Sequence, residues 1–238
     1  TISWDERNNL QRELYEMVSS YVAKTYNKAL RNRKKNMCLI FLLIIMQRMV
    51  TSSTAAIRQS LERRLNVLLE QRTCVGNLRE EDLDELNIED GVEDALEAIS
   101  LDMELEIEEL KQIISLAKQA QFQNQDAKVE PLLNEIDAIL SEDRTQKVII
   151  FTEFVATQTY LQELLVNRGY TVTILNGGMS IDERNAAMQE FKASTSIFIS
   201  TDAGGEGLNL QFANIIINYD LPWNPMKIEQ RCGRVDRI

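Results

Sequence analysis

The carboxyl-terminal part of the chain alternates short β-branched runs with amphipathic stretches, and this pattern constrains the fold more than any other feature of the 238 residues. The runs are KVIIFT (147–152), TVTILN (171–176), SIFISTD (196–202) and NIIINYD (214–220), with helical patterns over 155–168, 180–192 and 224–236. Strands apolar on both faces and joined through helices predict a parallel sheet covered on both sides. Ligands of such sheets bind beyond the carboxyl ends of the strands. Polar residues gather at that rim: Thr152 and Glu153, Asn176-Gly177-Gly178, Thr201-Asp202, and Asp220.

Two segments bring chemistry to the rim. STDAGGEGLNLQ (200–211) places Gly204, Gly205 and Gly207 behind a strand. Glycine lets the backbone approach a ligand closely, so that amides point at phosphate or ribose, although such a turn alone is more often only a turn. QRCGRVDRI (230–238) sets Arg231, Arg234 and Arg237 three residues apart, which on a helix brings the guanidinium groups near one face. A planar, permanently charged fork suits the spread negative charge of a transferring phosphoryl group. Alone, the same residues also read as a basic helix end complementing its dipole.

In order, KVIIFTEFVAT, LNGGMSIDER, STDAGGEGLNLQ and QRCGRVDRI resemble the successive motifs of the second, carboxyl-terminal RecA-like lobe of superfamily-two helicases, in their Swi/Snf-like translocase branch. The resemblance covers residues 147–238, and MQRMVTSSTAAIRQSLERRL (46–65) is similar to the helical protrusion preceding this lobe in bacterial members. Those members include the RNA-polymerase-associated ATPase and phage-defence translocases. Asp202 and Gly233 depart from the Arg and His usual in eukaryotic remodellers, which puts a nucleosome substrate in doubt. The family's last motif normally continues with Gly-Gln where this sequence ends at Ile238, so a longer parent polypeptide is expected.

The resemblance implies an α/β fold, a P-loop-NTPase-like RecA lobe preceded by an all-helical subdomain, with the boundary expected between 146 and 147. It gives Arg234 and Arg237 the role of arginine fingers reaching the γ-phosphate of ATP across an interlobe cleft. Gln230, Gly205, Glu206 and Gly207 fall at nucleotide-side positions, and Arg231 ties the motif to its own lobe. Thr152, Gly177, Arg184 and Thr201 fall along the nucleic-acid track, where ordinary strand-end or helix-surface roles are the plainer alternative. An arginine finger contributes about 10³ to 10⁵ in rate. Two lobes that close on ATP while gripping phosphates would move along duplex DNA with little sequence preference and strong salt dependence.

The chain has no G-x-x-x-x-G-K-[ST] loop and no strand-borne acidic pair upstream of the lobe. ATP and Mg²⁺ are therefore expected to be held mainly by an amino-terminal RecA-like lobe, and this chain is not expected to hydrolyse ATP alone. A docking or regulatory module, for RNA polymerase for example, and an RNA helicase lobe are the alternatives.

Charge is unevenly distributed. The net charge is −11, yet residues 79–110 carry −14 and residues 1–72 carry +7. The acidic stretch reads as a solvated face, partly helical toward Glu104–Leu110, or as a mimic of nucleic-acid charge. A basic cluster of Arg31, Arg33, Lys34 and Lys35 follows an amphipathic segment with Leu10, Leu14, Met17, Val18 and Tyr21. MCLIFLLIIM (37–46) is too short for a ~20-residue membrane span and reads as a helix buried among others, with Cys38 in the core. With no histidine and three cysteines at unpaired spacings, a zinc finger and histidine chemistry are excluded and no metal ligands are expected. A cytoplasmic protein is expected.

Overall fold

The computed structural model describes residues 8–31, 36–81, 91–123, 126–202, 210–222 and 224–235, without side chains from 73 to 100. Two compact units emerge, one made of Thr51–Ala56 with the chain from Asp126 onward, the other of Glu6–Val50 with Ile57–Gln125.

The first unit is built on a parallel sheet of β1 (Val148–Thr152), β2 (Val172–Leu175), β3 (Ile197–Thr201) and β4 (Ile215–Asn218), in the order β2-β3-β1-β4. β1 and β3 are buried along their whole length, as their unbroken apolar runs require. Alternate residues of β1 serve opposite faces. Val148 and Ile150 pack with α5 (Val129–Glu142) and α6 (Val155–Asn167) through Leu132, Ile136, Leu161 and Leu165. Ile149 and Phe151 pack with α7 (Ile181–Ala193), where Phe191 stacks on Phe198 with ring centroids 4.7 Å apart.

Helix ends in this unit follow local chemistry. Ser180 caps α7 in a capping box with Glu183. After α6, Gly169 takes φ +93°, and the Gly169 and Tyr170 amides donate back to the Val166 and Leu165 carbonyls. A side chain is strained in that left-handed turn, so glycine belongs there. α8 (Met226–Val235) starts behind Asn224, whose Oδ1 accepts from the Met226 amide at 3.0 Å, with Pro225 pre-set for the first turn.

The boundary expected after residue 146 differs from this division. α5 lies on the sheet, where its Asp137 accepts from Arg168 and Tyr170 of the α6–β2 connection. The turn between the second and third helices belongs to the sheet unit too.

The second unit contains α1 (Asn9–Leu30), most of α2 (Met37–Ser52) and α3 (Thr54–Glu81), and α4 (Gly91–Phe122). Its core includes Leu14, Val18, Tyr21, Leu43, Met46, Leu61, Ile107 and Ile113. The acidic stretch is helical from Gly91 onward. Several of its carboxylates pair within the unit: Glu109 with Lys24, Asp102 with Lys28, Glu104 with Arg72, and Glu106 with Arg64. α2 is not buried all round. Ile40, Leu43, Met46 and Val50 form its inner stripe, while Met37 and Phe41 are 55% and 65% exposed and Cys38 is exposed, contrary to its expected core position. A continuous apolar run has no periodicity to reveal which side faces inward. Arg33, Lys34 and Lys35 lie outside the described residues.

Candidate functional site at the carboxyl rim of the sheet

Parallel register brings the strand ends level. Thr152 aligns with Thr201, Phe151 with Asn218, and Leu175 with Ser200. Residues far apart in sequence thus share one edge, and α8 lies against it.

Arg231 fixes α8 to that edge. Its guanidinium is 3% exposed, donates through Nε and Nη2 to Asp202 Oδ1, and donates through Nη1 to Asn218 Oδ1 and the Asp220 carbonyl. The same group lies over the Phe151 ring, 4.8 Å from its centroid. Lys227 Nζ adds a second cation at Asp202, 3.3 Å from Oδ2. A buried guanidinium needs both a counter-charge and acceptors for its fork of donors, and the ends of two strands, β3 and β4, supply them. The expected tie between Arg231 and its own lobe is therefore present in detail.

Arg234, one helical turn on, is half-buried, and its carbonyl accepts from the Leu210 amide at 3.0 Å. Gln230 is exposed on the same helix. Arg237, Gly205, Glu206 and Gly207 lie outside the described residues.

The track candidates separate into two kinds. Gly177 is exposed and Arg184 half-exposed beside it, donating from Nε to the Met179 carbonyl and from Nη2 to the Gly177 carbonyl. Arg184 thus stiffens the turn that presents the glycines. Behind them, buried Gln158 donates to the Leu175 and Ile199 carbonyls and accepts from Asn176, tying the ends of β2 and β3. Thr152 and Thr201 are buried instead. The Thr152 hydroxyl donates to Asp220 Oδ2 at 2.6 Å, so its role here is internal support of the rim.

Asp220 is the residue whose part at the rim was least evident from sequence. Its Oδ2 accepts from Ser52, Thr152 and the Glu153 amide, and Oδ1 accepts from Lys128 Nζ at 2.8 Å. Burial pushes its carboxyl pKa up, but the Lys128 charge and the hydrogen bonds from Lys128, Thr152 and Glu153 outweigh burial and hold it below its ordinary value. Nearby, Tyr219 is buried and carries Lys128 Nζ 3.9 Å over its ring. Burial, with Asp126 and Asp220 adding to it, drives the Tyr219 phenol well above its usual range.

The carboxylates of Asp202 and Asp220 are engaged by the cations of Arg231, Lys227 and Lys128.

Comparison with known proteins gives this edge a context. Residues 127–238 match the helicase conserved C-terminal domain. A 115-residue stretch, 48% of this chain and 20% of its relative, is 45% identical to the uncharacterized ATP-dependent helicase YqhH of Bacillus subtilis. A 117-residue stretch is 38% identical to the RNA polymerase-associated protein RapA of Vibrio campbellii, covering 48% of this chain and 12% of that protein. The chain thus spans a minor part of the curated relatives it matches. Among solved structures, the Hef helicase domain of Pyrococcus furiosus superposes with a TM-score of 0.57 at 19% identity, over 98% of this chain and 51% of that one. The C-terminal part of the Fun30 ATPase domain gives 0.53 at 20% identity, over 100% and 80%. These two likenesses establish a shared fold.

Proposed function

We propose that this chain, whose residues 127–238 are a helicase carboxyl-terminal RecA-like lobe of the Swi/Snf-like branch, is the second motor lobe of an ATP-dependent double-stranded DNA translocase. The supporting observation is the Arg231 anchor. With Arg231 locked into Asp202, Asn218 and the Asp220 carbonyl, α8 is held at the strand ends and Arg234 is carried one turn beyond it.

The chemistry follows from that placement. Phosphoryl transfer demands positioning and charge stabilisation more than covalent work. Arg234 and Arg237 supply guanidinium charge to the γ-phosphate of an ATP held by a partner lobe. That partner lobe also holds Mg²⁺. Gln230, Gly205, Glu206 and Gly207 serve the nucleotide side, while Gly177 and Arg184 line the nucleic-acid track. Because backbone phosphates carry no sequence information, binding is insensitive to sequence and weakens steeply with salt. Such a motor works in a reducing cytoplasm, which suits three cysteines at unpaired spacings.

Paired assays test the reading. The reading predicts no ATP hydrolysis by this chain alone, and hydrolysis stimulated by duplex DNA in a longer polypeptide carrying a Walker-type lobe. Turnover by this chain alone, or stimulation of the longer polypeptide by RNA and not by DNA, refutes it. A second reading, docking onto RNA polymerase, rests on the RapA likeness. It requires polymerase binding by this chain that survives Arg234→Ala and Arg237→Ala.

A further inference from the structure

Ser52 ends α2 and Ser53 links it to α3, in the stretch MVTSSTAA (49–56), and both are buried within the sheet unit. Serines at a helix junction usually cap the next helix from the surface. Here Ser53 does cap α3, its Oγ accepting from the Ala56 amide at 3.1 Å, but the hydroxyls continue into the lobe. Ser53 Oγ and Ser52 Oγ each lie 2.8 Å from Thr157 Oγ1, and Ser52 Oγ lies 2.8 Å from Asp220 Oδ2.

Proton counting gives this chain of hydroxyls a single direction. An ionised carboxylate only accepts, so Ser52 spends its one hydroxyl proton on Asp220. Thr157 must then donate to Ser52, and Ser53 to Thr157, leaving Ser53 to accept from the Ala56 amide. The run from the first turn of α3 through Ser53, Thr157 and Ser52 to Asp220 is unbroken and polarised toward one charge, an arrangement in which each bond strengthens the next. Lys128 completes it from the other side, holding Asp220 Oδ1 at 2.8 Å and the Thr51 carbonyl at 3.4 Å. The Asp220 carbonyl, in turn, is an acceptor for Arg231 of α8.

We infer that Asp220 is a positioning residue that couples the arginine helix α8 to the α2–α3 junction, through the Ser52–Thr157–Ser53 hydroxyl chain on one oxygen and Lys128 on the other. The inference rests on the motor reading for its consequence: a change at the nucleotide-facing helix reaches the root from which α2 and α3 extend. A purely local cap needs only Ser53, and does not account for the burial of Ser52 or for four donors converging on one carboxylate.

The test reads the coupling apart from the motor. In this chain, amide hydrogen exchange over 226–235 is compared between the parent sequence, Ser52→Ala and Ser52→Thr. Ser52→Ala is expected to speed exchange in α8 by about fivefold, the effect of losing one net hydrogen bond, with α7 unchanged; Ser52→Thr restores protection. Loosening confined to the first turn of α3, with α8 unaffected, overturns the inference, as does an equal loosening of α7. In the longer polypeptide, Ser52→Ala is expected to leave the KM for ATP unchanged and to reduce the distance moved per ATP several-fold. Unaltered coupling there overturns the consequence. A parent polypeptide without DNA-stimulated hydrolysis refutes the motor reading instead, and the exchange result still decides whether α8 and the junction are linked.

Discussion

The two units handle buried charge differently. Among the described residues of the helical unit, buried charge sits at one site, where Arg64 donates through Nε and Nη2 to Glu106 Oε1 and Tyr21 donates to the same oxygen at 2.7 Å. Its remaining ion pairs lie mostly at the surface, including Lys28 with Asp102 and Arg72 with Glu104. The sheet unit gathers charges into a connected rim, where Asp202, Asn218 and Asp220 hold Arg231, and Asp220 also holds Lys128. An isolated pair steadies helix packing. A connected set fixes the mutual positions of several strand ends and a helix.

The largest test of that contrast is Arg231→Ala. It leaves Asp202 without its main counter-charge and strips a shared donor from the ends of β3 and β4, so the sheet unit is expected to lose about 3–5 kcal/mol in chemical denaturation. A loss below about 1 kcal/mol, the range of an exposed pair, would mean that the rim is no more than surface decoration. Arg64→Ala is expected to come next, at about 2–3 kcal/mol, because Glu106 and Tyr21 remain buried together after it.

Acid should separate the units further. The Asp220 pKa is depressed, so its contribution is fully present above its unfolded value and disappears as pH falls through the lower folded value. The sheet unit is therefore expected to weaken below about pH 4, and Asp220→Asn to flatten that dependence, as followed by near-ultraviolet circular dichroism against pH. An unchanged slope in Asp220→Asn would assign the acid sensitivity to other carboxylates.

Two smaller substitutions calibrate the scale. Ser180→Ala removes the capping box of α7 and should lower stability by about 0.5–2 kcal/mol. Lys28→Ala breaks an exposed pair with Asp102 and should lower it by less than about 1 kcal/mol. If Lys28→Ala proved the more damaging, the surface pairs of the helical unit would matter more than their exposure implies.

The same contrast explains what could be read in advance. In the sheet unit, KVIIFT, TVTILN, SIFISTD and NIIINYD became β1 to β4 nearly residue for residue; burial on both faces forces the unbroken runs of β1 and β3, while β2 and β4, at the sheet edges, are only partly buried. The anchoring of Arg231 was legible too, but only through the resemblance of QRCGRVDRI to a known motif, since the even spacing of Arg231, Arg234 and Arg237 does not distinguish them. Asp220 was placed at the rim, but its partners were not legible, because Ser52 and Lys128 stand 168 and 92 residues away and no local pattern records such pairing. In the helical unit, helix existence was legible and orientation was not. MCLIFLLIIM offers apolar side chains in every direction, so the inward stripe of Ile40, Leu43 and Met46, and the outward Phe41 and Cys38, are set by tertiary packing alone. The carboxylates of α4 looked like a solvated face, and several instead answer cations placed far upstream.

The central claim is that the arginine helix serves a nucleotide held by another lobe. The most direct measurement is DNA-stimulated ATP turnover of the longer polypeptide bearing Arg237→Ala, with folding checked by the unchanged melting of the sheet unit. The account predicts a fall in kcat of about 10³-fold or more; turnover within about threefold of the parent, less than about 1 kcal/mol of barrier, would contradict it.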